Sequence, residues 1–202
     1  MQVRYSYLQQ QFENCDGLWE KLKEFVHTGD FTLGKPLQEF EDKFANLIGT
    51  KHAIGVNSGT DAIKLSLKAL GIGHGDEVIT TANTFVATVG AITELGAIPK
   101  FVDCDDTFCM DVAQIEKKIT RNTILLVGVA GNTPLGLIDP INELSDLAIK
   151  FSIPLHVDAS FGGFIIPFLK DSIYDLPLFD FKLPGVTSVL SLIHISEPTR
   201  RY

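Results

Sequence analysis

Short apolar segments alternate with helical segments from residue 51 onward, and this alternation limits the possible folds more than any other feature of the sequence. The apolar segments are rich in β-branched residues and have no polar side, a pattern typical of strands buried on both faces. Strands of this kind, separated by helices, form a parallel sheet with helices on each face. The sequence therefore predicts a three-layer α/β fold with a mostly parallel sheet. The predicted strands are 53–56, 77–80, 98–102, 123–129 and 154–157, and the predicted helices are 60–70, 84–95, 111–118 and 140–150.

The regions on either side of this alternation follow other patterns. Residues 8–27 and 37–48 have the composition and apolar spacing of helices, and Thr28-Gly29-Asp30 separates them. After about residue 170 the α/β pattern fades. The stretch 191–202 is similar to a translated sequencing adaptor, and an ordinary disordered terminus is the alternative. We therefore expect an N-terminal helical segment (1–50), a partial large domain (51–190) that stops before its end, and an artefactual or disordered tail (191–202).

The charge balance and the cysteines exclude several classes of protein. The chain has 202 residues, with 17 basic and 25 acidic side chains and a net charge of -8, which argues against a nucleic-acid surface. No apolar stretch reaches the roughly 18 residues that a membrane helix needs, and the N-terminus lacks the apolar core of a signal peptide. The three cysteines, Cys15, Cys104 and Cys109, have no zinc-ligand spacing. We expect a cytoplasmic protein with reduced thiols and no metal site.

The segment Ser58-Gly59-Thr60 lies where a predicted strand gives way to a predicted helix. The free backbone N–H groups and the positive dipole end of a helix N-terminus suit a phosphate. Gly59 allows the backbone to approach a ligand closely, and Thr60 can cap the helix and donate its hydroxyl. The spacing is not that of a P-loop. A phosphate site and a plain helix cap without a ligand both fit this segment.

Three later strand ends carry further candidate side chains. Phe85 follows the second predicted strand, and its ring can either lie over a flat ligand or pack in the core. Thr133 lies in the loop after the fourth strand. Asp158 leaves the fifth strand, and a carboxylate there is costly unless it meets a cation or a hydrogen-bond donor. A protonated pyridine nitrogen is such a partner.

These strand ends together suggest one ligand, because the carboxyl ends of parallel strands meet at one edge of the sheet. A phosphate cradle, a stacking aromatic ring and an acid for a ring nitrogen are what pyridoxal 5'-phosphate requires. The acid keeps the pyridine protonated, so that the ring can accept electrons. The sequence therefore predicts pyridoxal 5'-phosphate as the cofactor.

Several ordered stretches of the first 122 residues follow the pattern of one family. They are 29–36, 39–45, 58–62, 69–79, 84–88 and 96–103. In these stretches, residues 1–122 resemble the sugar-nucleotide aminotransferases of the DegT type, which are pyridoxal-phosphate enzymes of the type I aminotransferase fold. The resemblance implies that Gly59, Thr60 and Asp61 hold the cofactor phosphate and that Phe85 stacks on the pyridine ring.

Residues 123–190 carry a different pattern, in 127–136 and in the run from His156 to Phe164. This part is similar to pyridoxal-phosphate amino-acid decarboxylases of the archaeal tyrosine/aspartate type, which share the type I fold. The resemblance implies Asp158 at the pyridine nitrogen, Ala159 under the ring and Thr133 near the phenolic oxygen of the cofactor. His156 either lies near the cofactor or faces a helix. A divergent natural enzyme and a join of two reading frames both fit the change of pattern.

Enzymes of both kinds bind the cofactor aldehyde as a Schiff base with a lysine. Where the resemblance places that lysine, the chain has His194 and Ile195, and Ile195 cannot form an imine. Lys170 and Lys182 come too early and lack the motif. We therefore expect that the Schiff-base lysine is absent, that the chain binds the cofactor weakly, and that it does not transaminate.

The first resemblance implies an aminotransferase that moves an amino group from glutamate or glutamine to a keto sugar attached to a nucleotide. The chain would be a piece of it that ends before the lysine and is inactive. The alternatives are a pyridoxal-phosphate amino-acid decarboxylase and an inactive fragment of the same fold. The expected partners are a nucleotide sugar, an amino-acid donor and, in the full-length parent, a second copy in a homodimer, with no nucleic acid and no membrane.

Overall fold

The computed structural model describes residues 13–133, 135–169 and 176–192. The described residues divide into two compact units, the first up to Gly55 and the second from Val56 onward. Lys170 and all but the first two residues of the predicted tail lie outside the described part. No helix among the described residues is long and apolar enough to cross a membrane.

The first unit contains the two helices predicted near the N-terminus. Helix α1 spans Asp16–Thr28 and helix α2 spans Lys35–Ile48. Each ends at a glycine in the left-handed region, Gly29 and Gly49, where φ is 69° and 78°. Glycine adopts this conformation without steric cost and therefore ends helices efficiently.

The predicted strand 53–56 is wrong, because this segment pairs with none of the described strands. The backbone N–H of Gly55 donates instead to the Glu41 carboxylate at 2.6 Å, within the first unit. The side chain of Ile54 is 79% exposed, so the apolar run that suggested a strand is not buried. A short apolar run forms a strand only when a neighbouring strand pairs with its backbone N–H and C=O groups.

The second unit is built on a five-stranded sheet in the order β2-β1-β3-β4-β5, in which every neighbouring pair is parallel. This confirms the predicted parallel sheet. Four of its strands agree with the predictions to within one residue at each end. The fifth was missed, because Thr187 and Ser188 interrupt its apolar pattern. The strands are β1 Glu77–Thr81, β2 Ile98–Val102, β3 Thr123–Val129, β4 Leu155–Asp158 and β5 Val186–Leu190.

Helices cover both faces of this sheet. On one face Val78, Leu125 and Val127 belong to a buried cluster with residues of helices α3 and α4, and on the other Leu126 and Val157 belong to a cluster with residues of α5 and α6. The predicted three-layer arrangement is therefore confirmed. The helices are α3 Gly59–Ala69, α4 Val86–Glu94, α5 Ile115–Lys118 and α6 Ile141–Phe151, with short 3-10 segments at Val112–Gln114, Gly162–Phe164 and Ile166–Leu169.

Candidate functional site

The strand order reverses direction between β1 and β3. From β1 the chain passes to β2 on one side, and then returns to β3 on the other side of β1. Helix α4 follows β1 on one face of the sheet, whereas α6 follows β3 on the other face. Loops that leave in opposite directions open a gap, and ligands of doubly wound sheets bind there.

Asp158 is the most deeply buried acid at this edge, with 4% of its surface exposed. The backbone N–H of Ser160 donates to its Oδ1 at 3.1 Å, and the Ser160 hydroxyl donates to the same oxygen. The hydroxyl of Thr88, in the first turn of α4, donates to Oδ2 at 3.1 Å. Buried carboxylates need such donors, because unpaired they lose the hydration of their charge. The site therefore holds an oriented acceptor at the end of β4.

His156 lies two residues before Asp158 on the same strand and is fully buried. Its Nδ1 is 2.8 Å from the hydroxyl of Ser188, its partner across β4 and β5. Burial lowers the pKa of His156 to about 4, although the negative charge of Asp158 acts in the opposite direction. The imidazole is therefore neutral at physiological pH, and the Asp158 carboxylate has no cationic partner in this histidine.

The N-terminus of α3 is capped by Ser58, and the prediction that Thr60 caps the helix is wrong. The Ser58 hydroxyl oxygen accepts from the backbone N–H of Asp61 at 3.1 Å. The Asp61 carboxylate in turn accepts from the side chains of Ser58 and Asn57. Asp61 therefore completes the helix cap with both of its polar groups.

Gly59 and Thr60, the first two residues of α3, take no part in this cap. Among the described residues, no acceptor meets their backbone N–H groups or the Thr60 hydroxyl. Free N–H groups in the first turn of a helix are the groups that bind anions. The anion-binding capacity of this segment thus lies in Gly59 and Thr60.

The α3 N-terminus and Asp158 lie at the same edge of the sheet. A Cβ added at Gly59 would stand 2.9 Å from the Leu192 side chain, which follows the carboxyl end of β5. Leu190, the last residue of β5, is in register with Asp158 at the end of β4. The α3 N-terminus and Asp158 therefore share the edge at which β4 and β5 end.

Phe85 immediately precedes α4, three residues before Thr88. Its side chain is 57% exposed. The alternative that this ring packs in the core is therefore excluded, and the ring is free to contact a ligand.

The sequence of the chain matches one protein family over most of its length. Residues 16–162 match the DegT/DnrJ/EryC1/StrS aminotransferase family. The chain belongs to this family. It is a pyridoxal-phosphate-dependent family, in agreement with the cofactor that the sequence predicted.

Curated relatives of the DegT-family chain include decarboxylases. The L-aspartate decarboxylase of Thermococcus kodakarensis is 41% identical over 170 residues, which are 81% of this chain and 43% of the relative. The probable L-tyrosine/L-aspartate decarboxylase of Methanothermobacter thermautotrophicus is 36% identical over 184 residues, 87% of this chain and 49% of the relative. The chain thus spans less than half of the length of these relatives.

Solved structures give the same fold. A sphingosine-1-phosphate lyase of Burkholderia pseudomallei superimposes with a TM-score of 0.71 at 29% identity, over 78% of this chain and 40% of that one. NtdA of Bacillus subtilis, with bound pyridoxamine phosphate, gives a TM-score of 0.69 at 31% identity, over 77% and 36%. The type I fold and both family resemblances are therefore confirmed.

The two resemblances overlap along the chain. The DegT-family match runs to residue 162, well past residue 122, and a match of 170 residues to a decarboxylase cannot fit within 123–190. The change of pattern near residue 122 therefore does not separate two unrelated halves.

Two of the residues predicted from the decarboxylase resemblance have contrasting surroundings. Thr133 is exposed in the loop after β3, where Gly131 has a φ of 91° and packs against Gly162. Ala159 has no exposed surface and belongs to the core cluster on the face covered by α6. In this arrangement Ala159 has no surface with which to meet a ring. The half-buried neighbour that does contact Asp158 is Ser160, which the sequence reasoning did not single out.

The structure places Lys182 away from these residues. It lies in the turn before β5, close to Asp180, with 3.7 Å between the charged groups. Because β5 is parallel to β4, the segment before β5 lies at the amino edge, opposite to Asp158. This position supports the expectation that Lys182 is not the Schiff-base lysine.

Proposed function

We propose that residues 56–192 form the cofactor-binding part of a pyridoxal-phosphate enzyme. The observation that carries this proposal is the buried Asp158 carboxylate, which protein donors orient at the same edge as the anion-binding end of α3. The Asp158 carboxylate accepts hydrogen bonds and the α3 N-terminus donates them, so the two features prefer ligand groups of opposite charge. Pyridoxal phosphate has a protonated ring nitrogen and an anionic phosphate at opposite ends.

The residues present fit this cofactor. Gly59 and Thr60 supply unpaired donors for the phosphate, and Asp158 accepts from the ring N–H. Phe85 would cover one face of the ring, since it is exposed at the start of the helix that follows β1. Thr133 remains a proposed neighbour of the phenolic oxygen. When bound, the cofactor supplies an electron-accepting ring that stabilises negative charge at the substrate carbon.

Amino-acid decarboxylation is the reaction we propose first for the whole enzyme. The L-aspartate decarboxylase named above is 41% identical over 81% of the chain, whereas NtdA is 31% identical over 77% of it. The strand end from His156 to Phe164 also follows the decarboxylase pattern. In such an enzyme the Asp158 carboxylate would accept from the N–H of the ring nitrogen and would hold the proton there.

Transamination of a keto sugar is the second candidate, since the family match runs through most of the chain. Its substrates would be a nucleotide sugar and glutamate or glutamine, and the full-length enzyme would form a homodimer. The reactions differ in product, because only decarboxylation releases carbon dioxide from an amino acid. For either reaction we propose a cytoplasmic location and a Schiff-base lysine supplied by a part of the parent enzyme not found in this chain.

Binding of pyridoxamine 5'-phosphate tests the proposal, because its amine needs no lysine. The purified chain is titrated with this compound, and its fluorescence is recorded. We expect that Asp158→Asn weakens binding at least tenfold, which is about the value of one hydrogen bond to a charged group. The matched control is Asp146→Asn, at an exposed position of α6. Absence of binding, or equal affinity of the Asp158→Asn and wild-type chains, would contradict the proposal.

A further inference from the structure

A chain of hydroxyl groups connects the Phe85 segment to Asp158. The Thr84 hydroxyl donates to the Thr88 hydroxyl at 3.3 Å, and Thr88 donates to Oδ2 of Asp158 at 3.1 Å. Thr88 is fully buried, whereas Thr84 is half-buried. A threonine hydroxyl has one proton and two lone pairs, so Thr88 can donate to Asp158 and accept from Thr84 at the same time. The hydrogen bond from Thr84 fixes which way the single Thr88 proton points.

The donors around Asp158 leave room for one more. Its two oxygens offer about four acceptor positions, and Thr88 and Ser160 fill three of them. All three protein groups act as donors, so both carboxylate oxygens are held as hydrogen-bond acceptors. The remaining position suits an N–H donor from a ligand.

We infer that Thr88 is a positioning residue for the cofactor ring nitrogen, acting through Asp158. This inference rests on the proposed function. By holding Oδ2, Thr88 fixes the carboxylate in the orientation that receives the ring N–H and keeps that nitrogen protonated. Through Thr84 the same relay fixes the backbone segment that carries Phe85. The acid and the stacking ring are thus aligned by one set of hydrogen bonds.

Substitutions in helix α4 test this inference with a matched control. Thr88→Val removes the hydroxyl and keeps the shape, whereas Thr88→Ser keeps the hydroxyl. The control Thr93→Val removes an exposed hydroxyl of the same helix, one that donates only to backbone carbonyls of α4. Each chain is titrated with pyridoxamine 5'-phosphate labelled with ¹⁵N in the ring, so that the ¹⁵N chemical shift reports protonation of the ring nitrogen.

We expect Thr88→Val to weaken binding about tenfold and to move the ¹⁵N shift toward the unprotonated ring. Thr88→Ser should restore both properties, and Thr93→Val should match the wild-type chain. Thr84→Val should cause a smaller loss of affinity than Thr88→Val. If valine at the buried position 88 prevents folding, Thr84→Val still tests the connected hydroxyl groups.

Two results would separate a failure of this inference from a failure of the proposed function. A Thr88→Val chain with wild-type affinity and a protonated ring, in a protein that Asp158→Asn still weakens, overturns this inference and leaves the proposed function standing. A wild-type chain that does not bind the compound, or that is unaffected by Asp158→Asn, overturns the proposed function and this inference with it.

Discussion

At the scale of single residues, His156 links the site to the stability of the fold. Its pKa falls from 6.5 to about 4 on folding because burial disfavours the charged ring. Between these values the unfolded chain binds more protons than the folded chain. The free energy of unfolding therefore rises with pH across this window, and it falls as the solution is acidified from pH 6.5 toward pH 4.

We expect His156→Gln to flatten this dependence by up to roughly 3 kcal/mol, the value of the full pKa difference. Urea unfolding at several pH values between 4.5 and 7.5 measures it. His74→Gln, in the turn before β1, is the control for removal of a histidine elsewhere. Equal slopes for His156→Gln and the wild-type chain would show that His156 is not buried in its neutral form.

Some site residues could be predicted from their residue type and position in the sequence, and others could not. Asp158 could be predicted because a carboxylate at the end of an apolar strand needs a partner. Thr88 could not, because nothing in the sequence showed that α4 packs its first turn against the end of β4. Ser160 could not, because its residue type alone did not show that its hydroxyl turns back to Asp158. Asp61 was grouped with the phosphate ligands from its position, yet its polar groups serve the helix cap.

At the scale of elements, the 3-10 turn Gly162–Phe164 packs tightly against the end of β3. A Cβ at Gly162 would lie 2.4 Å from the carbonyl oxygen of Ala130 and 2.6 Å from the Ile166 side chain. We expect Gly162→Ala to lower the free energy of unfolding by about 2 kcal/mol, because backbone atoms cannot yield to the new methyl group.

Gly90 provides the matched control for this substitution. It lies within α4, and nothing stands within 4 Å of a Cβ added there. Gly90→Ala should raise the free energy of unfolding by about 0.5 to 1 kcal/mol, since alanine restricts the unfolded chain. Denaturant unfolding of the two variants should therefore give changes of opposite sign. A stable Gly162→Ala chain would contradict the close packing of this turn.

Asp139 holds the loop after β3 in place. Its buried carboxylate accepts from the backbone N–H groups of Met110 and Val129, at 2.9 Å and 2.8 Å. Burial raises the pKa of Asp139, and these two hydrogen bonds partly offset the effect. We expect Asp139→Ala to cost about 2 kcal/mol of unfolding free energy, because two buried N–H groups lose their acceptor.

The measurement for Asp139 is again denaturant unfolding at neutral pH. Asp146→Ala, at an exposed position of α6, should change the free energy of unfolding by less than about 0.5 kcal/mol. If Asp139→Ala were equally mild, water would be replacing the carboxylate, and the loop would not depend on it.

Among the elements, the sequence predicted those whose pattern was clear. Strand β3 is a nearly continuous apolar run, strands β1, β2 and β4 are short segments with apolar residues between helical segments, and helices α2 and α6 have clear apolar faces. Strand β5 could not be recognised, because Ser188 faces His156 across the sheet and Thr187 donates to a backbone carbonyl, so both polar residues are satisfied inside the strand. The prediction of a strand at 53–56 was wrong, because an apolar composition does not show whether a neighbouring strand is available for pairing.

At the scale of the whole molecule, the parallel sheet gathers residues that are far apart in sequence. Phe85, Thr133 and Asp158 come after strands β1, β3 and β4, whose carboxyl ends lie at one edge of the parallel sheet. The alternation of strands and helices was enough to predict that these strand ends share an edge, although the strand predicted before α3 is wrong. It was not enough to predict which side chains would be buried there, since that depends on the packing of each helix against the sheet.

A crystal structure of the chain with pyridoxamine 5'-phosphate tests the central claim most directly. We expect the phosphate to lie within hydrogen-bond distance of the backbone N–H groups of Gly59 and Thr60, and the ring nitrogen to lie at the carboxylate of Asp158. A compound bound with its phosphate at another helix, or with its ring nitrogen away from Asp158, would contradict this claim.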